Sequence, residues 1–82
     1  MRLLKRIPHE RFLIELHQYN GKYLLKVSLG QYEQIYKIDE REIRNTDFFD
    51  HLINSEFLKS CLSRFLSMRS DFINEFKQYR NE

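Results

Sequence analysis

Residues 11–38 of the chain read RFLIELHQYNGKYLLKVSLGQYEQIYKI, and apolar and polar side chains alternate along most of this run. Alternation with a period of two is typical of a β-strand that has one buried and one exposed face. The pair Asn20-Gly21 interrupts the alternation, and both residues tolerate the positive φ angles of a two-residue type I′ turn. The run therefore predicts antiparallel strands that meet at this turn.

The same turn also determines which residues of the two strands face each other. If Tyr19 pairs with Lys22, three apolar pairs lie on one face of the hairpin: Phe12–Leu29, Ile14–Val27 and Leu16–Leu25. On the other face, Glu15 lies opposite Lys26. A slip by one residue would place apolar side chains opposite charged ones, so the alternation itself favours this register.

Gly30-Gln31 predicts a second tight turn, with glycine at the first central position of a type II′ turn. This turn would lead into a third strand over residues 32–38, in which Gln34 faces Val27 on the otherwise apolar side. That mismatch is the weak point of the register. A bulge near Gly30 is the alternative, because it would shift the pairing.

The first eight residues allow two interpretations. They form either a basic arm or an edge strand that ends at Pro8, because proline has no N–H to donate to a sheet ladder. Four basic residues and one acidic residue fall within the first eleven positions: Arg2, Lys5, Arg6, Arg11 and Glu10. A basic N-terminal segment is a candidate phosphate contact, although many such segments are only solvated ends.

After residue 45 the spacing of apolar residues becomes helical. Thr46 is predicted to cap a short helix, with Asp47 and Asp50 in its first turn, where the helix dipole favours acidic side chains. Ser55 is predicted to cap a second helix over residues 56–80. A break near Ser70 is the alternative to one continuous helix.

The second helix is predicted to be longer than the sheet. About 25 helical residues span about 37 Å, whereas strands of about eight residues span about 26 Å. Surplus apolar residues on this helix predict a homodimer, with an interface at Phe57, Leu66, Met68 and Ile73.

The chain of 82 residues suffices for one domain with one modest core. We expect an arm or edge strand over 1–8, a β-meander over 9–38 and a helical part over 46–80. The predicted fold class is therefore α+β, an antiparallel meander of three or four strands with one face packed against C-terminal α-helices. Its core is predicted to extend along the long helix as far as Phe72.

Composition and motifs exclude most classes of enzyme. The three histidines, His9, His17 and His51, stand at no metal-ligand spacing, and the single cysteine, Cys61, lies on an apolar helical stripe. Neither a glycine-rich phosphate loop nor a serine-centred elbow occurs. We expect a non-enzymatic protein without cofactor or metal. His17, near Glu15 on the outer sheet face and at most in diagonal pairing range of it, is interpreted as part of an ordinary surface pair.

A lone cysteine and the lack of any apolar run longer than three residues also bear on location. They predict a reducing compartment without a signal peptide or membrane span, and hence a cytoplasmic protein.

The sheet face turned away from the helices carries lysines among aromatic and aliphatic residues. This pattern suits single-stranded nucleic acid, because lysines attract phosphates and an aromatic ring can stack on a base. The candidate contacts are Arg6, Arg11, Tyr19, Lys22, Lys26 and Lys37. Two alternatives stay open: a protein interface centred on Leu13, Leu24 and Ile35, or a plain solvated face. The main alternative function is a homodimeric assembly module without nucleic-acid binding.

Three segments resemble the purine-rich-element-binding (PUR) repeat: RFLIEL at 11–16, GKYLLKV at 21–27 and DFFDHL at 47–52. The first two are similar to its paired strands and the third to the start of its helix. The resemblance implies a ββββα order if residues 2–7 form a strand. It also implies single-stranded nucleic-acid binding on a curved sheet and pairing of two repeats through their helices.

Overall fold

The computed structural model describes residues 1–80 of the chain. Four strands precede two helices: β1 (Arg2–Ile7), β2 (Leu13–Tyr19), β3 (Lys22–Leu29), β4 (Tyr32–Asp39), α1 (Asp47–Leu52) and α2 (Ser55–Arg80). The strands form one antiparallel sheet in chain order, β1-β2-β3-β4. The predicted α+β meander with one face against C-terminal helices is confirmed, and residues 2–7 supply its fourth strand.

Both predicted turns and both predicted registers are confirmed. Asn20 and Gly21 have φ angles of 53° and 77°, as a type I′ turn requires, and Tyr19 pairs with Lys22. Gly30 also has a positive φ of 61°, and the β3–β4 pairing runs without a shift, so no bulge occurs there. The one irregularity lies between β1 and β2, where Leu4 is an extra residue in the ladder.

The core lies between the inner face of the sheet, which is the face that the helices cover, and the first half of α2. Its buried members are Phe12, Ile14, Leu16, Leu25, Val27, Phe49, Cys61 and Phe65. The rings of Phe12 and Phe65 stack across the layers with centroids 6.0 Å apart. Burial of each large side chain contributes roughly 1.5–3 kcal/mol. Placing Phe72 in this core was wrong: it is 54% exposed, because α2 has passed the end of the sheet at that point.

Gln34 occupies its inward position because α2 supplies hydrogen-bond partners. Its side-chain amide donates to the carbonyl oxygen of Cys61 at 2.9 Å, and the Arg64 Nε–H donates to its Oε1, also at 2.9 Å. The Tyr36 hydroxyl donates to the same Oε1 at 3.0 Å and accepts from Arg64 at 2.7 Å. Burial and its contact with the Cys61 thiol raise the pKa of Tyr36. A polar network thus joins β4 to α2.

Asparagine side chains accept hydrogen bonds at the start of both helices, and Thr46 occupies the N-cap position of α1 as predicted. The Asn45 Oδ1 accepts from the Asp47 N–H at 2.9 Å, while the Thr46 side chain makes no capping bond. Asn54 Oδ1 accepts from the N–H of Phe57 at 2.9 Å, so Ser55 as the cap was wrong. Asparagine is at least as good a cap as serine or threonine. α2 continues without a break through position 70.

Candidate nucleic-acid interface

The outer face of the sheet, opposite the helices, carries three lysines around one leucine. Leu24 on β3 pairs with Lys37 on β4, and Lys22 and Lys26 lie two residues before and after Leu24 on the same face. Residues two apart on a strand are about 6.6 Å apart along the strand, and cross-strand neighbours are about 5 Å apart. We call Lys22, Lys26 and Lys37 the lysine cluster.

Leu24 is buried although neither helix lies over this face. Only 7% of it is exposed. Lysine side chains carry long aliphatic stems that cover apolar surface while the ammonium group stays in water. The lysine cluster therefore has an apolar floor beneath a positively charged rim.

This end of the outer face is concave. A depression of about 410 Å³ is lined by Met1, Tyr19, Asn20, Lys22, Leu24, Ile35 and Lys37. Three of the predicted contact residues, Tyr19, Lys22 and Lys37, therefore line one site. Lys26 lies next to it on the same strand. Tyr19 is 56% exposed, so much of this residue is accessible to a ligand.

The cluster lysines make no ion pair within residues 1–80. The two acidic residues directly across the strands from them, Asp39 opposite Lys22 and Glu15 opposite Lys26, are engaged by arginines. Arg41 binds Asp39 at 3.0 Å, and its hydrogen bonds bring the pKa of Asp39 to about 2. Positive charge at this end of the face is therefore not neutralised by direct pairing.

Arg6 lies on the outer face but is occupied within the sheet. Its Nε–H donates to Glu15 at 2.9 Å, and the His17 Nε2–H donates to the other oxygen of Glu15 at 3.1 Å. The hydrogen bond from His17 and then that from Arg6 lower the pKa of Glu15. Arg6 is therefore a weaker candidate for a phosphate contact than the lysine cluster.

His17 is far less exposed than an ordinary surface residue. Its side chain is only 13% exposed. Because its Nε2–H donates to Glu15, Nδ1 is a bare acceptor in the neutral ring. This atom is buried and has no hydrogen-bond partner in the described part of the chain. The alternation of side chains predicted the face on which His17 lies, but not its burial there.

Arg11 lies in a different place. It lines a separate depression of about 260 Å³ together with Ser55 and Lys59 at the start of α2. Its own backbone N–H donates to the His9 Nδ1 at 3.1 Å, which shapes the loop between β1 and β2. The structure therefore does not bring Arg11 together with the lysine cluster.

The predicted dimer-interface residues also separate into two groups. Phe57 and Met68 pack against the core, and the Phe57 ring lies 5.4 Å from that of Tyr36. Leu66 is 56% exposed and Ile73 is partly exposed. The most exposed aromatic residues of α2 were not predicted for this role: Phe72, Phe76 and Tyr79.

Between residues 1 and 80, no helix is both long enough and apolar enough to span a membrane. Over the same residues, no three His, Cys, Asp or Glu side chains are grouped so that they could hold a metal ion. No protein-family model, curated protein or solved structure matches the chain. The resemblance to the PUR repeat therefore stays a prediction from the residues alone.

Proposed function

We propose that the protein is a small non-enzymatic module that binds single-stranded nucleic acid on the outer face of its sheet. The observation that carries this proposal is the depression in which the exposed Tyr19 ring lies beside Lys22 and Lys37. Ammonium groups attract the phosphate backbone, and an accessible aromatic ring stacks on an unpaired base.

A single strand suits this face better than a duplex. Unpaired bases expose their flat faces, and Tyr19 and the floor at Leu24 are the parts of the site that could contact them. The rest of the face carries both signs of charge, including Glu33 and the Arg6–Glu15 pair, and the net charge of the chain is only +2. Binding is therefore expected to be local and to involve a few nucleotides.

Fluorescence anisotropy with short labelled oligothymidylate and oligouridylate tests the phosphate contacts. Binding is measured for the wild type and for the double variant Lys22→Gln/Lys37→Gln between about 50 and about 200 mM salt. Each phosphate contact on a single strand contributes about 0.7 to the slope of log K against log salt, so the double variant should lower its magnitude by about 1.4. Lys59→Gln is the matched control, because Lys59 is an exposed lysine on α2 outside this face.

Tyr19→Ala tests the stacking contact separately. The loss of one base–aromatic stack weakens binding by roughly 5- to 150-fold, with the salt slope unchanged, since no charge is removed. Absence of binding at low salt would refute the proposal. So would a Lys22→Gln/Lys37→Gln protein that binds like Lys59→Gln.

A further inference from the structure

The second half of α2 extends past the sheet with apolar side chains uncovered. The helix has 26 residues and is about 39 Å long, against about 26 Å for the longest strands. Its exposed apolar residues are Leu66 (56%), Phe72 (54%), Phe76 (48%) and Tyr79 (76%). We call residues 69–80 the overhang.

The overhang continues the face of α2 that packs on the sheet. Phe65 is buried, and Phe72 follows it by seven residues, which returns to almost the same side of a helix. Phe76 and Tyr79 follow at spacings of four and three, which keeps them on that side. The rings of Phe72 and Phe76 are stacked 6.0 Å apart along it. The sheet covers this face as far as Met68. Beyond Ile73, Phe76 and Tyr79 are 48% and 76% exposed, with the Arg80 guanidinium carbon 5.6 Å from the Phe76 ring centroid.

We propose that the overhang pairs with the overhang of a second copy of this chain, with the two α2 helices antiparallel. The inference does not depend on the proposed nucleic-acid site, because it uses none of the same residues.

The exposed area is sufficient for such a pair. At about 200 Å² for a large side chain, the exposed parts of Phe72, Phe76 and Tyr79 amount to roughly 350 Å² per copy. Two copies bury about 700 Å² from these side chains alone, and the remaining area needed to reach about 1,000 Å² for a specific interface comes from flanking residues. Both signs of charge flank the stripe, with three basic and two acidic residues: Arg69, Lys77, Arg80, Asp71 and Glu75. Two identical overhangs therefore meet with little net repulsion.

The position of the sheet selects the antiparallel orientation. Each sheet lies on the pairing face of its own α2 from Phe57 to Met68. In a parallel pair both sheets would occupy the same space between the helices. In an antiparallel pair centred near Asn74, each sheet lies beyond the end of the other helix.

The chain also carries a recess that this arrangement fills. A depression of about 410 Å³ lies beside the overhang, and Tyr32, Phe65, Leu66 and Arg69 are among the residues that line it. The Tyr32 ring meets Phe72 edge-on, with centroids 6.3 Å apart. The partner's Tyr79 would lie level with Arg69, at the rim of this recess. A two-fold interface requires such self-complementarity, with a projection and its recess on one surface.

Sedimentation equilibrium of the full chain tests the pairing. The wild type is expected to be a dimer at micromolar concentrations. Phe76→Glu places a charge within the apolar stripe and should raise the dissociation constant at least about 30-fold, the effect of an interface hot spot. Asn74→Glu is the matched control, because it adds the same charge to the opposite side of the helix, and it should stay dimeric. Far-UV circular dichroism verifies that each variant is folded.

Two results would overturn the pairing. One is a wild-type monomer at about 100 µM, which is well above the dissociation constants of specific complexes. The other is an equal dissociation constant for Phe76→Glu and Asn74→Glu.

The orientation of the two helices is tested separately, by the distance between two spin labels attached at Ser60→Cys in a Cys61→Ala background. Ser60 precedes Asn74 by 14 residues, so an antiparallel pair separates the two labels by about 42 Å along the axis. A parallel pair places them about 20–30 Å apart, and a distance in that range would refute the antiparallel arrangement.

Discussion

The two faces of the sheet bury neighbouring leucines by different means. Leu24 and Leu25 are consecutive on β3 and point to opposite faces, yet they are 7% and 0% exposed. Leu25 belongs to the core beneath α2, whereas Leu24 lies in an open depression among lysines. A low exposed fraction on a small sheet therefore does not by itself identify the core face, because long side chains on the same face can shield an apolar residue.

Polar side chains on the two faces also differ, in where their hydrogen-bond partners come from. On the inner face, Gln34 and Tyr36 bond to groups of α2, so their partners come from another layer. On the outer face, Glu15 bonds to Arg6 and His17 within the sheet, and one nitrogen of His17 has no hydrogen-bond partner among residues 1–80. The inner network holds two layers together, whereas the outer one only orders side chains on one surface.

Replacement of each leucine by alanine tests the comparison most directly. Leu25→Ala should lower the free energy of unfolding by about 2–5 kcal/mol, because it removes buried methyl groups and leaves a closed cavity. Leu24→Ala should cost about 1–2 kcal/mol, since its site opens to solvent and only the transfer of apolar surface is lost. Urea unfolding followed by circular dichroism measures both, at one protein concentration so that self-association contributes equally.

Equal losses for the two variants would contradict the distinction between the faces. They would mean that something covers the outer face in solution and gives Leu24 a closed environment. The depression lined by Tyr19 and Lys22 could then not be an open binding site, and the proposed function would fail with it.

Gln34→Ala tests the polar network of the inner face, and its expected effect is smaller than that of Leu25→Ala. The change removes the acceptor of the Arg64 Nε–H and of the Tyr36 hydroxyl, and the side-chain donor to the Cys61 carbonyl oxygen, at the interface of β4 and α2. An orphaned polar group at a partly buried site costs about 1–3 kcal/mol, so a loss of that size is expected in urea unfolding. Glu33→Ala is the control: it changes the neighbouring residue on the exposed outer face, and its cost should stay within about 0.5 kcal/mol.

Much of this architecture follows from local patterns in the sequence. Asn20-Gly21 adopts the positive φ angles that its residue types favour, and the alternation around it admits one register, so the β2–β3 hairpin could be predicted residue by residue. The change of apolar period after residue 45 predicted the helices for the same reason. These features depend on residues that are close together in the chain.

Features that depend on distant residues could not be predicted in this way. Gln34 looked like a mismatch because its partners at Cys61 and Arg64 come from α2, about 30 residues later. Arg11 shared a basic segment with Arg6, but the loop after β1 turns it towards the start of α2. The exposure of Phe72 depends on where the sheet ends relative to the helix, which the spacing of apolar residues does not encode.

The smallest predicted effect is a pH dependence of the free energy of unfolding, which originates at Glu15 on the outer face. The pKa of Glu15 in the folded protein lies below its usual 4.5 because His17 and Arg6 donate hydrogen bonds to the carboxylate. A carboxyl group with a lowered pKa stabilises the fold above its unfolded pKa, and this contribution disappears as the pH falls through the folded pKa. Glu15→Gln should therefore cost about 1 kcal/mol at pH 7, the usual contribution of one hydrogen bond, and progressively less below about pH 4.5.

Unfolding free energies of the wild type and Glu15→Gln between pH 7 and pH 3 measure this difference. Glu33→Gln is the matched control, because Glu33 lies on the same face and makes no ion pair within residues 1–80. A difference that stays constant down to pH 3 would mean that Arg6 and His17 do not hold Glu15 in solution. Arg6 on β1 would then be free for a phosphate contact, with Glu15 on β2 still between it and the lysine cluster on β3 and β4.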